Sequence, residues 1–201
     1  CVVSPANPLL VPSTLPYGLP DFSAIRDEHV MPALEEALRR HSAEIAAIAD
    51  SPEEPTAANT VVALEQSGQD LARVLGYFYT VAGADATEER LRMEAEISPL
   101  LAQHSDDMYM NPQLFHRIDA VFQTLPESVG SIEAKGGVTA AQLEAETVAL
   151  AQRYHDLFLR HGAGLSAEAQ ARVREINAEL SQLSSEFGDC LLYTSDAADE
   201  R

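Results

Sequence analysis

The chain has 201 residues, of which 46% are hydrophobic and 22% charged, and its formal net charge is −19. This hydrophobic fraction predicts a folded domain with a buried core and excludes disorder throughout the chain. Arg39 and Arg40 are the densest basic pair and have acidic neighbours. Nucleic acid and anionic membrane surfaces are therefore not expected partners, because both bind clustered Lys and Arg. No apolar run approaches the roughly 18 residues that a membrane span needs.

Prolines dominate the start of the chain. Residues 1–20 contain five of them, at positions 5, 8, 12, 16 and 20. Prolines at this density prevent a helix and favour an extended or turning path. The segment is also apolar, so we expect residues 1–20 to form an arm that packs along the domain surface.

From Asp27 onwards, apolar residues recur at three- and four-residue spacing, which is typical of helices. The first predicted helix has Pro32 in its first turn and ends at Ser51. The second is expected to be capped by Asn59 or Thr60 and to continue through Gly68 as one helix to Phe78. Small residues inside it are expected to allow close packing.

The next two predicted helices have clear start signals. The sequence Asp85-Ala-Thr-Glu88 resembles a capping box for the third helix. Pro99 is expected to kink that helix or split it at Ser98. Asn111 followed by Pro112 predicts the cap and first turn of the fourth helix.

Two more helices are predicted after a loop with the sequence PESVGSIEAKGG. The fifth starts at Thr139 and has Gly162 at its C-terminal cap. The sixth starts at Ser166, and its pattern stops at Gly188. No segment alternates with period two for long enough to predict a strand. The fold class is therefore all-α, with antiparallel helices joined by short loops.

Histidine and cysteine spacing does not predict a metal or redox site. The cysteines, Cys1 and Cys190, lie at opposite ends of the chain, and no histidine belongs to an H-E-x-x-H motif. His41 and Glu44 are one helical turn apart, which fits a general-base pair, but surface pairing is the simpler interpretation. His155 and His161 are expected on different helix faces, and His161 to favour a helix end.

The remaining candidates have structural explanations as well. Adjacent residues on a helix point in different directions, so paired acids are interpreted as solvated charges rather than catalytic dyads. These pairs are Glu35-Glu36, Glu53-Glu54, Glu88-Glu89 and Asp106-Asp107. Tyr77-Phe78-Tyr79 is compatible with a ligand groove, but core packing is favoured. The residues therefore predict no catalytic, cofactor-binding or metal-binding position.

The order of several short segments carries a family resemblance that covers roughly residues 7–189 in collinear order. The segments are Asn7-Pro8, Ser13–Tyr17, Pro20–Phe22, Ile25, Pro32-Ala33, Asn59-Thr60, Ala63–Gly68, Met108–Asn111 and Leu114–Val121. Together they resemble the start of the thimet-oligopeptidase-like zinc metallopeptidases, and most of all the peptidyl-dipeptidase (Dcp) branch.

The resemblance implies a two-lobed, mostly helical peptidase with a channel between the lobes. Its members cleave short peptides, and the peptidyl-dipeptidases remove C-terminal dipeptides with a zinc ion held by H-E-x-x-H and a later glutamate. That motif lies far downstream in the family and is absent from this sequence. We therefore expect residues 21–189 to be the N-terminal helical region of such a peptidase, inactive alone and monomeric.

Two alternatives stay open at this point. One is a stand-alone helical binding module without catalysis, and the other is a thimet-type endopeptidase. Cys1 has two interpretations as well: a lipidated first residue of a cell-envelope protein, or the start of a partial reading frame. We favour the partial frame, and with it a cytoplasmic protein.

The last segment, CLLYTSDAADER, differs from the helix before it. It resembles the in-frame translation of a transposon-end adapter that is used to prepare DNA for sequencing. Residues 190–201 are accordingly expected not to be native, and Cys190 not to be a redox or metal site. On this interpretation the sixth helix is cut off, and Gly188 is not a designed stop.

Overall fold

A computed structural model describes residues 7–125 and 140–199, and those residues contain helices and no strand. The helices are α1 (Val30–Ala49), α2 (Ala63–Glu65), α3 (Gln69–Ala84), α4 (Glu88–Tyr109), α5 (Pro112–Gln123), α6 (Ala140–Arg160) and α7 (Ala167–Asp199). The all-α prediction is confirmed. Cys1, the predicted loop at 126–137 and Thr139 lie outside the described residues. No helix in the described ranges is long and apolar enough to cross a membrane.

The helices belong to two compact units. The first contains Cys1–Ser42, Gly68–Ser105 and Arg172–Arg201, and the second contains Ala43–Ser67 and Asp106–Ala171. Each unit has its own set of buried apolar side chains.

The core of the first unit is formed by α1, α3 and α4. Its buried members are Leu9, Ile25, Val30, Ala33, Leu34, Ala37, Leu71, Val74, Tyr77, Phe78, Met93 and Ile97. The proline-rich segment contributes through Leu9, whose carbonyl accepts a hydrogen bond from Arg73 Nη1 at 3.3 Å. That segment follows a turning path with 3₁₀ turns at Pro8–Leu10 and Pro16–Gly18.

The core of the second unit is built around one face of α5 and one face of α6, and both faces carry aliphatic and aromatic side chains. Its buried members are Ile45, Ala49, Val61, Leu64, Leu114, Ile118, Val121, Ala151 and Phe158. Because apolar side chains on one face of each helix are removed from water here, this cluster supplies the main driving force for folding the unit.

Three predicted helix boundaries are confirmed by their hydrogen bonds. The Asn111 side chain accepts from Leu114 N at 3.0 Å, and the Ser166 hydroxyl accepts from Ala169 N at 3.3 Å. Gly162 has a φ of 97° and ends α6. There Ala163 N donates to Phe158 O at 2.9 Å, which satisfies a carbonyl that the helix itself leaves open.

The prediction of one uninterrupted second helix is wrong. A π-helical turn at Ala58–Val62 leads into the short α2, and α3 begins only after Gly68. Gly68 has a φ of 70°, a left-handed conformation that an α-helix does not contain. Asn59, one of the two predicted caps, lies inside the π-helical turn instead.

The predicted cap of α4 and the predicted split at Ser98 are corrected, and α7 extends beyond the residue at which its sequence pattern stops. Thr87 rather than Asp85 caps α4, because its hydroxyl accepts from Arg90 N at 3.3 Å. Pro99 lies inside α4 without splitting it at Ser98. One missing N–H does not end a helix whose apolar side chains, among them Ile97, are buried. In α7 the helix continues past Gly188 to Asp199.

Substituting Gly68 with alanine is expected to lower the free energy of unfolding by about 2–3 kcal/mol. Part of this cost is the left-handed backbone, and part is steric, since an added Cβ would lie 3.0 Å from Cε1 of His41. Gly18→Ala is a matched control: its φ is also positive, at 67°, but nothing lies within 4 Å of an added Cβ. Its loss should be only about 1 kcal/mol. Equal losses in urea unfolding of the two variants would contradict the steric contribution.

Candidate functional site

A cleft of about 450 Å³ lies in the second unit, between the end of α1 and the start of α5. Its lining residues are Ala49, Ser51, Pro52, Glu53, Glu54, Pro55, Pro112, Gln113, His116 and Arg117. One wall is the proline-containing loop after α1, and the other is the first turns of α5, which Asn111 caps. The chemistry of the cleft depends on how Arg117 holds this loop.

Arg117 is only 5% exposed, so its guanidinium is a buried cation. Its Nη1 donates to the carbonyls of Ser51 and Glu53 at 3.0 and 2.8 Å, and its Nη2 donates to Asn59 Oδ1 at 3.1 Å. Nε is buried without a hydrogen-bond partner among the described residues. The guanidinium therefore bridges two carbonyls of the loop to the π-helical turn.

Asn59 completes this network. Its Oδ1 also accepts from Thr56 N at 2.8 Å, and its Nδ2 donates to the Glu54 carbonyl at 3.0 Å. The oxygen and the nitrogen of the Asn59 side-chain amide thus both bind the backbone of the loop that Arg117 contacts. Because most of these hydrogen bonds end on backbone carbonyls or a backbone amide, the network positions the backbone of the loop rather than a reacting group.

The first unit contains a pair of facing histidines, His41 on α1 and His104 on α4. His104 Nε2 lies 2.9 Å from His41 Nδ1, and the ring centroids are 4.9 Å apart. The Ser42 hydroxyl lies 3.4 Å from His104 Nδ1. A hydrogen bond between two imidazoles needs one nitrogen to be an unprotonated acceptor. The pair was not predicted, because 63 residues separate its members.

His155 and His161 contact different partners. His155 stacks on Phe122 with centroids 3.9 Å apart, and its Nε2 lies 3.2 Å from Asp119 Oδ1. His161 follows the last residue of α6 and stacks on Tyr109 at 4.2 Å. Both rings are therefore packed side chains, and His161 lies at the end of α6, as predicted.

The paired acids are not all solvated. Glu36 accepts hydrogen bonds from Arg39 and Arg40, which lower its pKa to about 2. Asp106 is buried while Asp107 is exposed, because adjacent residues are rotated by about 100° around a helix. The prediction of a solvated pair is therefore wrong for Asp106.

The aromatic triplet is divided in the same way. Tyr77 and Phe78 are buried in the first unit, as the core interpretation predicts, whereas Tyr79 is partly exposed. Burial raises the pKa of Tyr77 and of Tyr79. The triplet is mainly a packing feature.

In the second unit, Tyr154 is the most strongly perturbed group. Burial, and then its 2.6 Å hydrogen bond to Glu65 Oε2, raise the pKa of Tyr154 well above its usual value. The phenol therefore stays protonated and acts as a donor. Its partner lies on α2, so the bond connects α6 to that short helix.

Comparison with known proteins identifies relatives along almost the whole chain. A dipeptidyl carboxypeptidase of Escherichia coli (strain K12) is 39% identical over 186 residues, which are 92% of this chain and 25% of that protein. The dipeptidyl carboxypeptidase of Salmonella typhimurium LT2 is 39% identical over 191 residues, 95% of this chain and 26% of the relative. Both matches run along nearly the whole of this chain and fall in the first quarter of each relative.

A third relative is less similar to this chain. Oligopeptidase A of Haemophilus influenzae is 27% identical over 190 residues, 94% of this chain and 25% of that protein. No protein-family model matches the chain. The resemblance predicted from the sequence is confirmed, and the chain spans about a quarter of the length of the curated relatives it matches.

The described residues contain no group of three His, Cys, Asp or Glu side chains placed to hold a metal ion. The sequence gives only weak signals for the observed hydrogen-bond networks, because each network joins residues that are far apart in the chain. Arg117 lies 64 residues from Glu53 and 58 from Asn59. Both Asn59 and Arg117 belong to the segments that carry the family resemblance, but that resemblance does not assign their contacts.

Proposed function

We propose that the whole protein is a zinc metallopeptidase that hydrolyses short peptides and releases dipeptides from their C-termini. The observation that carries the proposal is 39% identity, over 92–95% of this chain, to two proteins named dipeptidyl carboxypeptidase. The residues of this chain supply helical framework, including the cleft wall that Arg117 organises. Short peptides are the proposed substrates.

The residues of this chain do not fit a zinc site. The full sequence has no H-E-x-x-H, and no three candidate ligands converge among the described residues. Zinc ligands and the water-activating glutamate are therefore proposed to lie in the three quarters of the relatives' length that this chain does not span. We therefore propose that the 201-residue chain alone is inactive.

The test is peptide hydrolysis by the full-length protein, expressed from the longer reading frame of the source DNA. A tetrapeptide with a free C-terminal carboxylate should be cut into two dipeptides, and a chelator should remove this activity. The 201-residue chain, prepared in parallel, should show no hydrolysis. Chelator-sensitive hydrolysis by the short chain would contradict its inactivity, and chelator-resistant cleavage by the full-length protein would contradict the zinc dependence.

A second candidate is a thimet-type endo-oligopeptidase. Its support is the match to oligopeptidase A at 27% identity, which is weaker than the two matches at 39% identity behind the first candidate. The products of a longer peptide separate the two activities. Successive dipeptides from the C-terminus identify a dipeptidyl carboxypeptidase, whereas internal cuts that also occur in a C-terminally amidated peptide identify an endopeptidase.

A non-catalytic binding module predicts that the longer reading frame lacks H-E-x-x-H.

A further inference from the structure

The solvent-facing side of α7 carries four large apolar side chains. Their exposed fractions are 39% for Ile176, 55% for Leu180, 59% for Leu183 and 66% for Phe187. Their spacing of three or four residues places them within an arc of roughly 60° on the helix. We name these four residues the α7 stripe. Single apolar residues on a surface are ordinary, but a contiguous stripe is typical of an interaction site.

The more enclosed face of α7 has the opposite character. Val173, Asn177 and Ser181 are partly buried and recur every four residues, and two of the three are polar. A surface helix that packs only within its own domain turns its apolar face inwards. In α7 the enclosed face is mostly polar and the exposed face is apolar. The described residues therefore do not cover the apolar face of this helix.

We propose that the α7 stripe is the docking surface for an apolar helix face in the part of the protein that follows this chain. The docking proposal rests on the proposed function, because it assumes that the whole protein is as long as its peptidase relatives. The chain covers only 25% and 26% of the two dipeptidyl carboxypeptidases. About three quarters of their length is therefore available to cover the stripe, and α7 is the last helix before it.

The geometry of the stripe specifies the occupant as a helix. The intervals of four, three and four residues form a seam that faces one partner helix along three turns. The flanks are polar: Arg172 and Glu175 form an exposed ion pair at 2.7 Å beside the stripe. An aliphatic or aromatic helix face fits this pattern, and a charged peptide does not, because its charges would lose water without gaining a partner.

Thiol labelling of single-cysteine variants tests the docking directly. Leu180→Cys is placed in the stripe, and Ala178→Cys is the control, since Ala178 is an exposed position on the opposite side of the same helix. Both are made in the 201-residue chain and in the full-length protein, with other cysteines changed to serine. We expect both to be labelled at similar rates in the short chain. In the full-length protein, labelling at position 180 should be at least about tenfold slower than at position 178.

Three outcomes are distinguishable. Protection at position 180 that appears only in the full-length protein, at every protein concentration, supports the docking. Equal labelling of both positions in the full-length protein overturns it. Protection in the short chain that increases with concentration, together with a dimer mass in solution, overturns it in favour of a second copy as the occupant. Labelling needs no catalysis, so peptide hydrolysis measured on the unlabelled full-length protein reports separately on the proposed function.

Discussion

Replacing Arg117 with methionine should lower the free energy of unfolding by about 3 kcal/mol. Methionine retains much of the aliphatic length but removes every guanidinium donor. The carbonyls of Ser51 and Glu53 and the amide oxygen of Asn59 then lose charge-assisted hydrogen bonds of 2.8–3.1 Å. The sum of three such bonds is larger, but methionine also relieves the cost of burying a cation, and this reduces the net loss.

The matched control is Arg172→Met on α7. The Arg172 side chain is 64% exposed and contacts Glu175 through one ion pair, so its removal should leave the unfolding midpoint almost unchanged. Arg117→Lys is expected to recover only part of the loss, because one ammonium group does not reproduce the planar fork that reaches both loop carbonyls and Asn59. Denaturant unfolding followed by circular dichroism measures all three variants.

A local measurement separates the bridging role from general destabilisation. The amide of Thr56 donates to Asn59 Oδ1, which Arg117 also contacts. Its hydrogen exchange should accelerate in Arg117→Met well below the unfolding transition, whereas amides in the middle of α5 keep their protection. A stability loss below about 1 kcal/mol, or unchanged exchange at Thr56, would show that the guanidinium does not hold the loop.

The helix boundaries illustrate what local chemistry makes predictable. Asn111, Gly162 and Ser166 end or begin helices through hydrogen bonds to residues at most five positions away, so short sequence motifs contain all the necessary information. Gly68 was missed because apolar residues continue at helical spacing on both sides of it. A glycine directly after Ser67 was the available signal, but the sequence does not show its left-handed φ of 70° or the nearby ring of His41.

The contacts of the candidate site were beyond sequence reasoning for a related reason. The partners of Arg117 and of His104 lie 58–66 and 63 residues away, respectively. Nothing in the spacing of one residue type encodes such a pair, since the fold alone brings the two ends together. The family resemblance, by contrast, depends on the order of short segments along the whole chain. That order can be read from the sequence without knowing which residues are in contact.

Substituting Phe158 with alanine is expected to lower the free energy of unfolding by about 3–5 kcal/mol. Phe158 is fully buried in the second unit, edge-on to Tyr109 at 5.1 Å and stacked on Phe115 at 6.2 Å. Its removal takes away the transfer free energy of the ring and leaves a cavity that the surrounding helices fill only partly. Since small domains are stable by about 5–15 kcal/mol, a loss of this size leaves the second unit marginal.

Phe187→Ala is the matched control, because the same side chain is 66% exposed there on α7. In the 201-residue chain we expect a change within about 0.5 kcal/mol, so the difference between the two variants isolates burial from the chemistry of the substitution. Thermal and denaturant unfolding by far-ultraviolet circular dichroism supply the values. Similar losses for both variants would mean that Phe158 is not in a packed core. In the full-length protein, a larger loss for Phe187→Ala than in the short chain is the stability effect that a covered α7 stripe requires.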